Sequence, residues 1–242
     1  MTKGETMPKY KIADVVFETN HVYANTAKYC KDYLYNGNDL PEFRLTITQE
    51  DILKEKECET ENFPLFAYEC TALHRKLSER LFDLHGIILF HGSAIGVNEK
   101  GAYLFTGKSG SGKSTHSSLW RKYYGDKVFM INDDKPYLRQ IDGKWFIYGT
   151  PWNGKHFLGD NVSVELKAVC KIIQSKTNRI EKMLSSDIVR TVMEQTLKPV
   201  EQCAMEKYLS LIDDLVLKTE WYNLYCDISE EAAKLSFETM VR

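Results

Sequence analysis

In residues 1–64, apolar and polar positions alternate in two short runs, Tyr10-Lys11-Ile12-Ala13-Asp14-Val15-Val16-Phe17 and Phe43-Arg44-Leu45-Thr46-Ile47. A period of two marks half-buried strands, so this part reads as a small β-rich region. Glu50 to Thr60 is dense in charge and reads as a solvated surface segment. From Leu65 to His85 the period changes: Leu65, Tyr68, Leu73, Leu77, Leu81 and Leu84 recur at helical steps, and Gly86 stops the helix.

The rest of the chain alternates the two patterns. Ile87 to Val97 is rich in strand formers, Asn98-Glu99-Lys100-Gly101 is a turn, and Ala102 to Thr106 is a continuous apolar run with the look of a buried strand. Lys113 to Tyr124 reads as a helix and Lys127 to Asn132 as a second buried strand. Tyr137 to Tyr148 reads as a hairpin around Asp142-Gly143. Val164 to Ile173 and Trp221 to Tyr225 read as strands, and Asp187 to Gln195, Glu201 to Asp213 and Ser229 to Val241 as helices, the last capped by Asp227 and Glu230. The pattern predicts an α/β protein with a 1–64 region followed by a 65–242 domain.

Composition narrows the partners. Apolar residues make up 43% of the 242, enough for a sizeable core, and 32 Lys and Arg against 34 Asp and Glu leave a net charge of −2. That balance gives no electrostatic case for nucleic acid or for an anionic membrane surface. Met1 to Tyr10 is polar, and no apolar run is long enough for a bilayer, so the expected compartment is the cytoplasm. The six cysteines have neither CxxC nor zinc-finger spacing and read as reduced structural thiols.

The chemistry lies in Gly107-Lys108-Ser109-Gly110-Ser111-Gly112-Lys113-Ser114-Thr115, which fits G-x-x-x-x-G-K-[ST] between a strand and a helix. The glycines allow a tight turn that aims backbone N–H groups at phosphate oxygens. Lys113 supplies a charge for the β- and γ-phosphates, Ser114 offers a hydroxyl to Mg²⁺, and the following helix presents its positive end. Twenty residues past Lys113 an apolar strand ends in Asp133-Asp134, where a Walker B carboxylate belongs, with a turn or a helix cap as the plainer reading. Consecutive side chains diverge, so one carboxylate can hold metal while the other faces an acceptor.

Other candidates carry less. His91 interrupts an apolar run one strand from the loop and by position alone reads as a core histidine. Gly149-Thr150-Pro151-Trp152-Asn153-Gly154-Lys155 follows another strand end, and reads equally as a cleft wall, with Trp152 and Lys155 toward ligand, or as an ordinary surface loop. Arg179 is within the repertoire of phosphate ligands; the remainder reads as scaffold.

The order His91-Gly92-Ser93-Ala94, then the phosphate loop, then Asp133-Asp134 resembles the HPr kinase/phosphorylase and phosphoenolpyruvate carboxykinase superfamily. Val164 to Ala168 with Asn178-Arg179-Ile180, and the tail Trp221 to Met240, look like the small HPr-kinase-related kinases. The resemblance covers residues 65–242 well and the start weakly. It implies a carboxykinase-like P-loop kinase core on a mixed sheet, use of ATP and Mg²⁺, an active-site role for His91, and a base role for Asp133 or Asp134. Self-assembly of relatives leaves a homo-oligomer open. Three departures stand against a bifunctional HPr kinase: the chain is too short for a carboxykinase substrate domain, Thr115 replaces an acidic residue, and Tyr148-Gly149-Thr150-Pro151-Trp152 replaces an Arg-Gly segment. The leading expectation is a kinase acting on a hydroxyl of a peptide, a protein or a small acceptor, probed first as serine. A carboxykinase-like enzyme on a small carboxylate and a non-catalytic ATP-binding regulator are the rivals.

Overall fold

The computed structural model describes residues 7–241; the first six residues of the polar opening stretch lie outside them. The chain divides into two units that meet between Leu84 and His85. The first holds strands β1 (Lys9–Ile12), β2 (Val15–Thr19) and β3 (Phe43–Leu45), and helices α1 (Ala24–Tyr29), α2 (Gln49–Cys58) and α3 (Leu65–His85, whose last residue is shared across the division). The run Tyr10 to Phe17, expected as one strand, is a hairpin: Ala13 and Asp14 both take positive φ, 52° and 61°. A two-residue turn of this kind usually advertises itself with glycine or asparagine, and here it does not. The charge-dense run Glu50 to Thr60 folds largely into α2, started by a capping box between Thr48 and Asp51.

The sequence reading begins the second part at residue 65, but α3 belongs with the first unit. Its Glu69 is fully buried and accepts bonds from the Val22 and Tyr23 backbone N–H groups and the Thr26 hydroxyl, so it caps the start of α1. No periodicity reveals such a tie.

The second unit is built on a nine-stranded mixed sheet. Its strands are β4 (Ile88–Leu89), β5 (Ser93–Val97), β6 (Gly101–Thr106), β7 (Val128–Asn132), β8 (Tyr137–Ile141), β9 (Lys144–Tyr148), β10 (Ser163–Gln174), β11 (Arg179–Lys182) and β12 (Glu220–Cys226). Its helices are α4 (Lys113–Tyr124), α5 (Ser185–Gln195), α6 (Gln202–Lys218) and α7 (Glu230–Met240). The sheet order is β4-β8-β9-β10-β6-β5-β7, and β12 also pairs with β10 and carries β11. Among the described residues no helix is long and apolar enough to cross a membrane, and all six cysteines are free.

Strand directions place the site. β10 runs parallel to both β6 and β12. β5 is antiparallel to β6 on one side and to β7 on the other. β6 and β7 therefore run the same way without touching, and the ends of β6, β7, β10 and β12 share an edge with the start of β5. The interposed β5 keeps the ends of the loop strand and the Asp strand together and adds its own first residues.

The helix after the loop is anchored by aromatic packing. Trp120 is fully buried, edge-on to Phe105 at 5.1 Å and to Phe237 of α7 at 4.9 Å between ring centres. Its Nε1 donates to Ser236 Oγ at 2.8 Å, and His116 Nε2 lies 2.8 Å from the same oxygen. α7 begins with Ser229, whose side chain accepts from the Ala232 N–H, while Asp227 accepts from the Ser229 hydroxyl. The cap is thus Ser229, with Asp227 behind it and no cap bond from Glu230.

Burial lowers the His116 pKa to about 4. The unfolded chain therefore binds this proton first, near pH 6.5, and stability is lost as pH falls from there toward 4. Between pH 7 and 5 the expected loss from this residue is roughly 2 kcal/mol. Urea unfolding at the two pH values, in wild type and His116→Gln, checks it: the variant should show a smaller pH dependence.

Candidate active site

The phosphate loop joins β6 to α4. Gly107, Gly110 and Gly112 have φ of 135°, 75° and 105°, a region closed to most side chains. Gly112 stands at the N-cap of α4 without a side-chain cap, and the first turn has no acidic residue. Ser111 Oγ is buried without a hydrogen-bond partner among the described residues. An open helix start, a glycine turn and an orphaned hydroxyl fit a bound phosphate chain. Lys108, Ser109, Ser114 and Thr115 are exposed at the loop, so the Ser114 hydroxyl is free to meet a metal. Lys113 is buried, its ammonium donating to the carbonyls of Gly107 and Lys108 at 3.0 and 3.2 Å. Burial lowers its pKa, and the charges of Asp134 and Asp133 pull it back up.

The two aspartates stand in different surroundings. Asp133 is 5% exposed. Its Oδ1 accepts from the Ser93 hydroxyl at 2.7 Å; Ser93 Oγ lies 2.7 Å from Ser117 Oγ, and Ser117 reaches the Lys113 carbonyl at 3.2 Å. This hydroxyl relay ties the start of β5, the end of β7 and the first turns of α4 together. The Asp134 side chain is 34% exposed, with Oδ1 3.4 Å from His91 Nε2. The His91 backbone N–H donates to the Gln195 carbonyl at 2.7 Å, and that of Gly92 to the Asp134 carbonyl at 2.9 Å. Burial and the nearby Lys113 charge lower the His91 pKa, while Asp134 opposes them, so the ring is neutral at pH 7.

Asn132 sets the turn that carries the pair. It is fully buried; its Oδ1 accepts from the N–H groups of Asp134 and Lys135 at 2.9 and 2.7 Å. Its Nδ2 donates to the carbonyl and hydroxyl oxygens of Thr150 at 3.1 and 3.0 Å. Asn132→Ala strands these groups in the core and should destabilise the fold by about 3 kcal/mol. Chemical denaturation checks that value, and turnover should fall with it because both carboxylates ride on the turn.

The loop Gly149 to Lys155 reaches the site. A Cβ on Gly154 would stand 3.2 Å from Asp133 Oδ2 and 3.4 Å from its carbonyl oxygen, so the loop backbone passes close against Asp133. Trp152 is buried, while Lys155 is exposed. Arg179 is engaged elsewhere: it bonds Glu181 and lies over the Tyr225 ring at 3.6 Å. His91, Lys113, Asp133 and Asp134 do come together. Ser93, Ser117, Asn132 and Thr150, which hold them, were not foreseen. The only sequence signal for Ser93 was its place in His91-Gly92-Ser93-Ala94.

No three His, Cys, Asp or Glu side chains converge as a self-contained metal centre among the described residues. A Mg²⁺ held by one hydroxyl, a carboxylate and phosphate oxygens needs no such cluster. Fold and site define a loop of the P-loop pattern on a mixed α/β sheet, with a histidine and paired carboxylates beside it.

No family model matches the chain, and neither does any curated protein. Among solved structures, the HPr(Ser) kinase/phosphatase from Coxiella burnetii is similar at 13% identity and a TM-score of 0.32, over 62% of this chain and 95% of that one. A likeness that weak decides nothing about activity.

Proposed function

We propose that this chain is a kinase that uses ATP and Mg²⁺ to phosphorylate a hydroxyl, with a serine of a peptide or protein as the acceptor. The observation that carries the reading is the convergence of Lys113, His91, Asp133 and Asp134 on one side of a loop shaped for phosphates. Mg²⁺ would be held by Ser114 and one aspartate and would supply charge neutralisation on the phosphates. The glycine turn and the start of α4 hold the phosphates. Lys113, now on two carbonyls of its own loop, is placed to turn its ammonium onto the transferred group. The remaining carboxylate takes or orients the acceptor proton. A neutral His91 at 3.4 Å from Asp134 holds that carboxylate in place and can itself share a proton. Rate enhancement would come from positioning and electrostatics.

Incubation with γ-labelled ATP and Mg²⁺ against serine-containing peptides and free serine tests the reading. Label on a serine hydroxyl is the expected result. ATP binding without transfer to any acceptor would favour a regulatory protein, and turnover that depends on phosphoenolpyruvate would favour a carboxykinase.

A further inference from the structure

His91 lies in a short extended segment with a neighbour on each side. The Phe90 and Gly92 N–H groups donate to the carbonyls of Pro136 and Asp134 at 3.1 and 2.9 Å, toward the stretch that carries the aspartates. The His91 N–H points the other way and donates to the Gln195 carbonyl at 2.7 Å, and Phe90 forms an antiparallel bridge with Thr196. N–H groups that alternate in direction mark a chain held between two others, so the end of α5 completes the surroundings of His91. A bridge between 90 and 196 sets 91 opposite 195. Residues opposite each other in an antiparallel pair project to the same face.

Gln195 is held firmly in that place. It is the last residue of α5 and only 9% exposed. The next residue, Thr196, is fixed by its bridge to Phe90, by its hydroxyl donating to the Val192 carbonyl at 2.9 Å, and by a bond between that hydroxyl and the buried Tyr208 hydroxyl of α6. Within this frame Gln195 Oε1 is buried and meets no donor at hydrogen-bonding geometry among the described residues. A buried amide oxygen left so costs about 1–3 kcal/mol. It approaches the His91 imidazole, where it favours a nitrogen that bears a proton.

Two acceptors therefore face one ring. Asp134 Oδ1 lies 3.4 Å from Nε2, a long contact, and Gln195 Oε1 is the other. A neutral imidazole has a single N–H and cannot serve both. We propose that Gln195 is a positioning residue whose Oε1 takes the His91 Nδ1–H and so leaves the Nε2 lone pair toward Asp134. Without Gln195 the hydrogen moves to Nε2 and is donated to Asp134, which weakens that carboxylate as a base. The effect on turnover rests on the proposed kinase activity; the placement of the hydrogen does not.

Long-range proton–nitrogen NMR of the full chain with labelled histidine tests this, with the His91 signals assigned by their loss in His91→Gln. Wild type should show the Nδ1–H tautomer. Gln195→Met, of like size and without the amide oxygen, should show Nε2–H, and Gln195→Glu, which keeps an oxygen acceptor, should retain Nδ1–H. In steady-state transfer from ATP, Gln195→Met should lower kcat by about 10- to 100-fold, the loss typical of removing a group that orients an imidazole, and leave the KM for ATP unchanged. Gln195→Glu should recover most of that loss. An Nε2–H tautomer in wild type, or a tautomer unchanged in Gln195→Met, overturns the proposal. Equal kcat in wild type and Gln195→Met, or an equal loss in Gln195→Glu, overturns the role in turnover. Absence of transfer by wild type overturns the kinase reading, and the NMR result then still decides where the hydrogen lies.

Discussion

Lys113→Ala is expected to lower phosphotransfer by about 10³-fold or more, the loss typical of removing a positioned group that stabilises transition-state charge. The ammonium is buried, depressed in pKa by that burial, and within the fields of Asp133 and Asp134. It is a charge maintained at a cost in desolvation beside the place where the proposed reaction would develop phosphate charge. Among the described residues its hydrogen bonds run to the carbonyls of Gly107 and Lys108, inside its own loop. Its removal should leave the thermal unfolding midpoint nearly unchanged, since the lost bonds are offset by relief of a buried charge. Stopped-time assays with labelled ATP, alongside a melting curve, check both halves. Transfer retained in a folded Lys113→Ala protein would remove the kinase reading.

The paired aspartates give the second large effect. Asp133→Asn and Asp134→Asn should each lower turnover by about 10²- to 10⁴-fold, for different reasons. The variant that loses the metal ligand should recover in part as Mg²⁺ is raised. The one that loses the proton acceptor should not, and should still bind Mg-ATP normally. Asparagine suits both positions because it keeps an acceptor for the Ser93 hydroxyl at Asp133 and changes only charge beside His91 at Asp134. Normal binding and normal transfer in both variants would show that the pair is a turn and nothing more.

Legibility in the sequence followed the range of the forces involved. The loop and α4 were readable because glycines, lysine and helix start lie within nine consecutive residues. α3 was readable because one apolar stripe fixes a long helix. Asp133 and Asp134 were readable by their distance from Lys113. What stayed hidden is non-local and polar. Ser93 and Ser117 are ordinary residues until β5 and α4 bring their hydroxyls together. Asn132 looks like the last residue of an apolar strand, yet its amide sets the turn. The antiparallel insertion of β5 leaves no periodic trace, because a buried strand reads the same in either direction. The Ala13-Asp14 turn escaped because its φ values are imposed by the hairpin rather than invited by glycine.

The interposed β5 also bears on the order in which the site is assembled. His91, the phosphate loop and both aspartates fall within one continuous stretch, residues 91–134, joined by adjacent antiparallel pairings. The sheet on the other side of the loop strand depends on β10 and β12, which enter from residues 163–174 and 220–226. Closing the first set requires shorter chain loops than closing the second. β5, β6 and β7, with the loop and both aspartates, can thus come together before β12 joins the sheet, and pulse-labelled amide exchange should find β5, β6 and β7 protected ahead of β12.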